Sequence, residues 1–358
     1  MKKKYGVFSE KRGENMQKKL GFGIIGCGII ADFHANAIHE CIGEADLVGV
    51  CDVVFDAAEK FAHRHRTNAF KNEAELLACG DIDVVCICTP SGYHYSSVIA
   101  AARAGKHIIC EKPLAINKEQ LDAVEEECKK AGITVSVISQ NRYAKSIQRV
   151  KDAIDQGLLG RIVSADIYMK YYRSQEYYDS GSWRGTKRID GGGALMNQGI
   201  HGVDLLLYLA GEIKSVYAMS KTLVRNIEVE DTLSAVVEYK SGALGVIQAT
   251  TSVYPGYPRR LDINGENGSI VLDETSIVRW DIQNGNGHDD VVLMPSYTNG
   301  ASTPTAISND GHVRQISDTI RCIKNGESPL SGLADGRRAV DVILAIYRSA
   351  EEGRRIEL

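Results

Sequence analysis

From Leu20 to about residue 138 the chain alternates short, continuously apolar runs with longer amphipathic stretches. The runs at 22–25, 47–51, 84–88, 107–110 and 134–138 read as strands, and the stretches at 29–42, 56–65, 94–104 and 118–130 as helices. Strands that are apolar on both faces and separated by helices predict a parallel sheet covered on both sides. The first domain, 20–140, is therefore expected to be a doubly wound α/β sheet.

After Gln140 the period changes. A helix at 146–156 and a strand at 162–169 come first, followed by a helix at 194–209 behind the glycines at 191–193. Runs at 216–220, 233–239, 243–250, 259–265 and 268–272 alternate apolar with polar residues, the mark of antiparallel strands with one covered face. Residues 283–310 are polar and glycine-rich, expected as loop with a brief strand at 291–293, and helices at 312–324 and 335–351 end the chain. The pattern predicts an α+β second domain over 141–334, built on an open, largely antiparallel sheet, with 335–358 returning toward the first domain. The open sheet face calls for cover, because burying apolar surface stabilises by about 25 cal/mol per Å². Helices of this chain or a second subunit can supply it, and a homodimer or homotetramer is the expectation.

A chain of 358 residues accommodates two cores. With 42 basic and 46 acidic residues and a formal net charge of -4, no field favours nucleic acid or anionic lipid. No apolar stretch is long enough to span a membrane. The Lys-rich residues 1–19 lack a signal peptide's apolar core and read as a flexible leader, with Met16 an alternative start. The nine cysteines include no C-x-x-C, which fits a reducing, cytoplasmic setting.

The sharpest chemical signal is the end of the run at 107–110, which stops in Glu111-Lys112-Pro113. Lysine is costly beside a core unless paired or used. Proline biases the residue before it away from helical geometry. The ammonium is thus expected at the mouth of the sheet. A salt bridge to Glu111 is the bland alternative, weakened because adjacent side chains on an extended segment point opposite ways.

Gly26, Gly28 and Ala31 form G-x-G-x-x-A between the first strand and helix, with Ile29 and Ile30 opening that helix. Gly26 suits the tight turn, Gly28 leaves room for a pyrophosphate, and Ala31 permits close helix–sheet packing. Asp52, after the second strand, can bond a ribose diol and would oppose a 2'-phosphate; residues 53–55 supply no basic clamp. NAD is expected rather than NADP. Thr89-Pro90 follows the next apolar run at the carboxyl edge of the sheet. His94 faces the cofactor or serves a local capping role.

A helix through 194–209 places Asn197, His201 and Asp204 on one face. Oxidising a sugar or polyol hydroxyl requires a group that takes its proton, and neutral His201 can do so at physiological pH. Lys112 can hydrogen-bond the same oxygen, or act as the base itself if burial lowers its pKa. Tyr168, Tyr171, Tyr172, Arg173, Tyr177 and Tyr178, followed by Trp183-Arg184, suit a sugar ring carrying a carboxylate or phosphate; a loop stapled by ring packing would look the same. The histidines show no paired-ligand spacing, and the chemistry requires no metal.

Gly26-Cys27-Gly28, Thr89-Pro90, Gly105-Lys106-His107 leading into Glu111-Lys112-Pro113, and the glycine run before His201 together resemble the glucose-fructose oxidoreductase, inositol dehydrogenase and rhizopine catabolism protein (Gfo/Idh/MocA) family. The resemblance covers nearly the whole chain from Leu20. It implies an N-terminal Rossmann domain, a C-terminal open sheet and oligomers that use the sheet face. It places the catalytic lysine on Lys112 and the catalytic histidine on His201, while the family's frequent aspartate four residues earlier is Asn197 here. Implied cofactor contacts are Asp52, Thr89, Pro90, His94, Glu111 and Asn141, with Arg184 toward the nicotinamide. Tyr168, Tyr171, Arg173, Asn197, His201 and Lys112 are the expected substrate contacts. The segment from Tyr177 to His201 looks most like members that oxidise C3 of nucleotide-linked N-acetylamino sugar uronates. Inositol or free-sugar dehydrogenases, NADPH-dependent ketosugar reductases and a non-catalytic NAD or sugar sensor are the competing readings.

Overall fold

The computed structural model describes residues 18–283 and 308–358. Residues 1–17 of the expected leader, Met16 and the brief strand expected at 291–293 lie outside the described residues.

The first domain runs β1 (Leu20–Ile25), α1 (Ile29–Glu40), β2 (Ala45–Cys51), α2 (Phe55–His65), β3 (Asn68–Phe70), α3 (Glu73–Ala78), β4 (Val84–Ile87), α4 (Ser91–Arg103), β5 (His107–Cys110), α5 (Lys118–Ala131) and β6 (Val135–Val137). Its strands are parallel in the order β3-β2-β1-β4-β5-β6. The order reverses between β1 and β4, which opens a crevice at the carboxyl ends of those strands. Only β3 and α3 escape the periodicity argument. They are too short to show a period, and α3 is set by its cap, the Asn72 side chain accepting from the Glu75 N–H.

The second domain runs α6 (Lys145–Asp155), β7 (Ile162–Lys170), α7 (Gln175–Asp179), α8 (Ile200–Ala210), β8 (Ile213–Lys221), β9 (Thr232–Tyr239), β10 (Leu244–Thr250), β11 (Arg260–Gly265), β12 (Gly268–Asp273) and β13 (Ser276–Ile282). After the residues left undescribed come α9 (Asp310–Asn325), α10 (Leu333–Glu352) and β14 (Ile356–Glu357). The sheet order is β13-β12-β11-β7-β10-β9-β8-β14. Its pairs are antiparallel except β7 with β10.

Two pieces of the C-terminal half fold onto the first domain. Ile316 and Ile320 of α9 join the core of Phe22, Ile24, Val84 and Ile109, so α9 covers one face of the first sheet although it falls within 141–334. Gln315 fixes it there, donating to the Val137 carbonyl at 2.8 Å and accepting from the Ser139 N–H at 3.1 Å. The helix α10 bridges both domains. Val340, Ile343 and Ile346 enter the core beneath Val216 and Ala218, while Arg337 pairs with Asp122 and Glu125 of α5.

Asp204 is drawn out of the site by this docking. Its carboxylate accepts from Arg142 Nε at 2.9 Å and Nη2 at 2.6 Å, and Arg142 Nη1 reaches the Leu330 carbonyl at 3.0 Å and Asp335 at 3.1 Å. Arg142 and Asp204 are both buried. Removing one partner of such a pair strands the other charge and costs about 3–5 kcal/mol. Arg142→Met is expected to lower the urea midpoint by an amount equivalent to that range; an unchanged midpoint would show that the fold does not depend on the pair.

Candidate active site

The glycine turn is built by crowding on one side and space on the other. Gly26 has φ +92°, and a Cβ there would stand 2.9 Å from the Cys88 backbone, so β4 approaches too closely for any side chain. At Gly28 a Cβ would meet nothing within 4 Å. That open space at the start of α1 fits a pyrophosphate approaching backbone N–H groups. Asp52 braces the turn by accepting from Cys27 N–H at 2.8 Å and from Val54 N–H at 2.9 Å. Ile29 is exposed beside it, as are Val53 and Val54. The Thr89 hydroxyl is buried without a partner among the described residues, a second feature that fits a bound dinucleotide.

His94 does not reach for a ligand with its ring nitrogens. Nδ1 lies 2.7 Å from the Pro113 carbonyl and Nε2 2.7 Å from the Thr89 carbonyl, so the ring ties the turns after β4 and β5 together. Burial pushes its pKa down, against those two bonds.

The charged end of β5 divides as adjacent extended residues must. Glu111 turns inward, with Oε1 at 3.0 Å from His34 Nε2 on α1 and 3.7 Å from His312 Nε2 on α9. Burial alone would raise the Glu111 pKa, but the two imidazoles outweigh it and hold the carboxyl well below its usual range. These three side chains have ligand atoms close enough to hold a metal. The same cluster ties α1 and α9 to the end of β5. Lys112 turns the other way, toward the second domain. Its Nζ donates to the Asn197 carbonyl at 2.8 Å, not to Glu111. Burial pushes the Lys112 pKa down, as do the charges of Arg173 and Arg184, while Glu111 and Asp190 pull it up.

The receiving segment is shaped by the three glycines. A Cβ on Gly191 would meet Ile116 Cβ at 2.5 Å, on Gly192 the Tyr347 hydroxyl at 2.3 Å, and on Gly193 the Glu230 carbonyl oxygen at 1.9 Å. Glu230, buried, accepts from the N–H groups of Gly193 and Leu195 at 2.9 Å each and from the Tyr347 hydroxyl at 2.7 Å. Tyr347, on α10, in turn accepts from Met196 N–H at 3.0 Å. The expected single helix over 194–209 is instead a π-helical turn, Ala194–Gly199, followed by α8. Its wider spacing shifts Asn197 off the face that a continuous α-helix would give it with Asp204, while Asn197 and His201 still line one cavity. Asn197 points its side chain at Asp190 (Nδ2 to Oδ1, 2.7 Å) and accepts from Gln198 Nε2 at 2.5 Å. Gly202 packs α8 against Met169 and Ile167 of β7. The His201 ring makes no hydrogen bond among the described residues, and burial with the charges of Lys112 and Arg259 holds its pKa well below the usual value.

Lys112, His201, Asn197, Thr89, Pro90 and His94 line one cavity of about 330 Å³. Ile30, Glu111, Asn141, Tyr171, Arg173 and Arg184 also line it, with Arg259 and Glu274 among the rest of its wall. Tyr168 is a correction. Along β7 the side chains of Ile167 and Met169 face α8, and the alternation carries on to Tyr171 and Arg173; Tyr168 therefore points to the opposite, open face of the sheet. The aromatic cluster splits accordingly. Arg184 stacks on Tyr177 and Trp183 at 4.4 and 4.3 Å, and Arg173 donates to Gln198 Oε1 at 2.9 Å. Tyr172 instead meets Tyr254 edge-on at 5.3 Å. Sequence reasoning missed Asp190, Gln198, Arg259, Glu230 and Tyr347. A charge directly before a glycine run was the one available sign for Asp190.

Comparison with known proteins agrees with this geometry. Residues 20–139 match the oxidoreductase family with an NAD-binding Rossmann fold, and residues 147–271 match the GFO/IDH/MocA C-terminal domain. The WlbA dehydrogenase of Bordetella pertussis, solved with NADH and UDP-GlcNAcA, is 35% identical with a TM-score of 0.87, covering 95% of this chain and 98% of that one. The corresponding enzyme of Chromobacterium violaceum, also with NADH and UDP-GlcNAcA, is 33% identical with a TM-score of 0.85, covering 96% of each chain. The myo-inositol 2-dehydrogenase of Thermotoga maritima is 29% identical over 95% of this chain and 98% of its own. With its dinucleotide crevice, its Lys112–His201 cavity and these two matched domains, the chain belongs to the GFO/IDH/MocA family of NAD-binding oxidoreductases.

Proposed function

We propose that this dehydrogenase oxidises a secondary hydroxyl of an anionic sugar, with C3 of a nucleotide-linked N-acetylamino sugar uronate as the substrate. The observation that carries the reading is the convergence of Lys112 and His201, from different domains, on one cavity beside the dinucleotide crevice. NAD, when bound, supplies the hydride acceptor. Lys112 donates a hydrogen bond to the reacting oxygen and stabilises the negative charge that develops on it. His201, neutral because its pKa is depressed, takes the hydroxyl proton. The Asn197 carbonyl holds the ammonium on the substrate side and away from Glu111.

The charge of the wall supports an anionic substrate. Lys112, Arg173, Arg184 and Arg259 face Glu111 and Glu274, and Arg259 Nε is buried without a partner among the described residues. An arginine fork matches a carboxylate. The UDP-GlcNAcA in complex with both WlbA enzymes has that chemistry. A second copy of the chain is the proposed cover for the open sheet face, where Tyr217, Met219, Val236 and Leu244 are exposed on β8, β9 and β10.

With NAD and a panel of UDP-linked N-acetylamino uronates, inositols and free sugars, absorbance at 340 nm should rise fastest with the uronate. Lys112→Ala should reduce kcat by a factor on the order of 100 or more. A neutral sugar preferred over the uronate would overturn the substrate reading, and a fully active Lys112→Ala the mechanism.

The pH profile of kcat/KM is a further check. Oxidation needs neutral His201, whose pKa is depressed, so activity persists as pH falls and is lost only well below 6.5. The ammonium of Lys112, also depressed, is lost at a pH below 10.5, which sets the alkaline limb. An acid limb at or above 6.5 would contradict the assignment to His201.

In light scattering after gel filtration the protein should run as a dimer or larger, and Met219→Lys with Val236→Glu should shift it toward monomer. A monomeric wild type would refute the interface.

A further inference from the structure

We propose that Asp190 is a positioning residue for the reaction: acting through the Asn197 side chain, it fixes the turn that receives the Lys112 ammonium and helps keep that ammonium charged. The inference rests on the dehydrogenase reading and adds to it the group that sets the lysine's state.

Asp190 is 3% exposed and pairs with no lysine or arginine among the described residues, a costly place for a carboxylate. Both its oxygens are committed. Oδ2 accepts from the Gly185 N–H at 2.6 Å and Oδ1 from Asn197 Nδ2 at 2.7 Å. Two donors converging on two oxygens need a carboxylate; an amide offers one oxygen and would set its NH₂ against one of them. The bond from Asn197 Nδ2, with the one that Asn197 Oδ1 accepts from Gln198, fixes the side chain of a residue whose N–H already donates to the Gly193 carbonyl at 3.0 Å. That residue's own carbonyl is the acceptor 2.8 Å from Lys112 Nζ. Asp190, Asn197 and Lys112 thus form one part-buried chain of hydrogen bonds that ends on the proposed catalytic ammonium. The same carboxylate pins Gly185, at φ +68°, next to Arg184, so it also locates the stacked arginine on the cavity wall.

The charges acting on Lys112 leave this role open to one residue. On the first-domain side stand Glu111, committed to His34 and His312, and His94, committed to two carbonyls. On the second-domain side Arg173, Arg184 and His201 either oppose the ammonium or are neutral. Glu274, also on that side, is paired with Arg259 at 3.2 Å. Asp190 is the second-domain carboxylate that acts on Lys112, and its bond to Asn197 couples its charge to the carbonyl that Lys112 uses.

The test compares Asp190→Asn, Asn197→Asp and the double exchange, which restores an amide–carboxylate pair with its direction reversed. Asp190→Asn should lower kcat at least about tenfold, with the Lys112-governed limb of the kcat/KM profile moved to lower pH by about one unit, the size expected for loss of a nearby opposite charge. Asn197→Asp should be worse, because two carboxylates then meet. The double exchange should recover most of the loss, as coupled neighbours do. The Lys112 pKa is also read without turnover, by ¹⁵N-lysine NMR of the free protein with Lys112→Ala identifying the signal. It should fall in Asp190→Asn and return in the double exchange. A wild type that oxidises no sugar would defeat the functional reading yet leave that NMR comparison standing. An unshifted Lys112 signal in folded Asp190→Asn, or a double exchange no better than its worse parent, overturns the proposal.

Discussion

The hydrogen bond from Lys112 Nζ to the Asn197 carbonyl is the contact on which the site depends. It joins the end of a parallel strand in one domain to a π-helical turn in the other. Neither partner is fixed by its own element alone. Lys112 leaves β5 outward because Glu111 is drawn inward by His34 and His312, from α1 and α9. The Asn197 carbonyl is presented because Glu230 and Tyr347 hold the backbone N–H groups of Gly193, Leu195 and Met196. Secondary structure from both ends of the chain is therefore needed to place one ammonium.

Electrostatics explains why the arrangement stays chemically poised. A lysine in a wall with three arginines would shed its proton readily, and burial adds to that tendency. Glu111 and Asp190 oppose it. His201 is buried in the same positive field and has no hydrogen-bonded anion among the described residues, so its ring stays neutral. One field thus serves two purposes. It adds to burial in keeping the His201 ring neutral, and it is the field that the proposed anionic substrate would meet.

The strand–helix alternation, G-x-G-x-x-A and the charged end at 111–113 were legible because each is a local pattern whose physical meaning is local. The strand at 107–110 and helices at 29–42 and 118–130 fall within two residues of β5, α1 and α5. What escaped depends on distance along the chain. Arg142 meets Asp204 62 residues away, and Tyr347 meets Glu230 117 residues away. No period or motif marks such pairs. Asp204 was misread for a different reason. The π-helical turn spaces side chains more widely than an α-helix, so a face drawn at 3.6 residues per turn puts it beside Asn197, whereas its partner is Arg142. Tyr168 was grouped with its neighbours by composition, although strand alternation separates it from Tyr171 and Arg173.

A crystal structure with NADH and the sugar tests the central claim most directly. The account predicts one substrate hydroxyl oxygen within hydrogen-bond distance, about 2.7–3.2 Å, of both Lys112 Nζ and a His201 ring nitrogen, with the carbon that bears it against the nicotinamide. A sugar bound with that oxygen facing away from His201, or with Lys112 turned back onto Glu111, would contradict it.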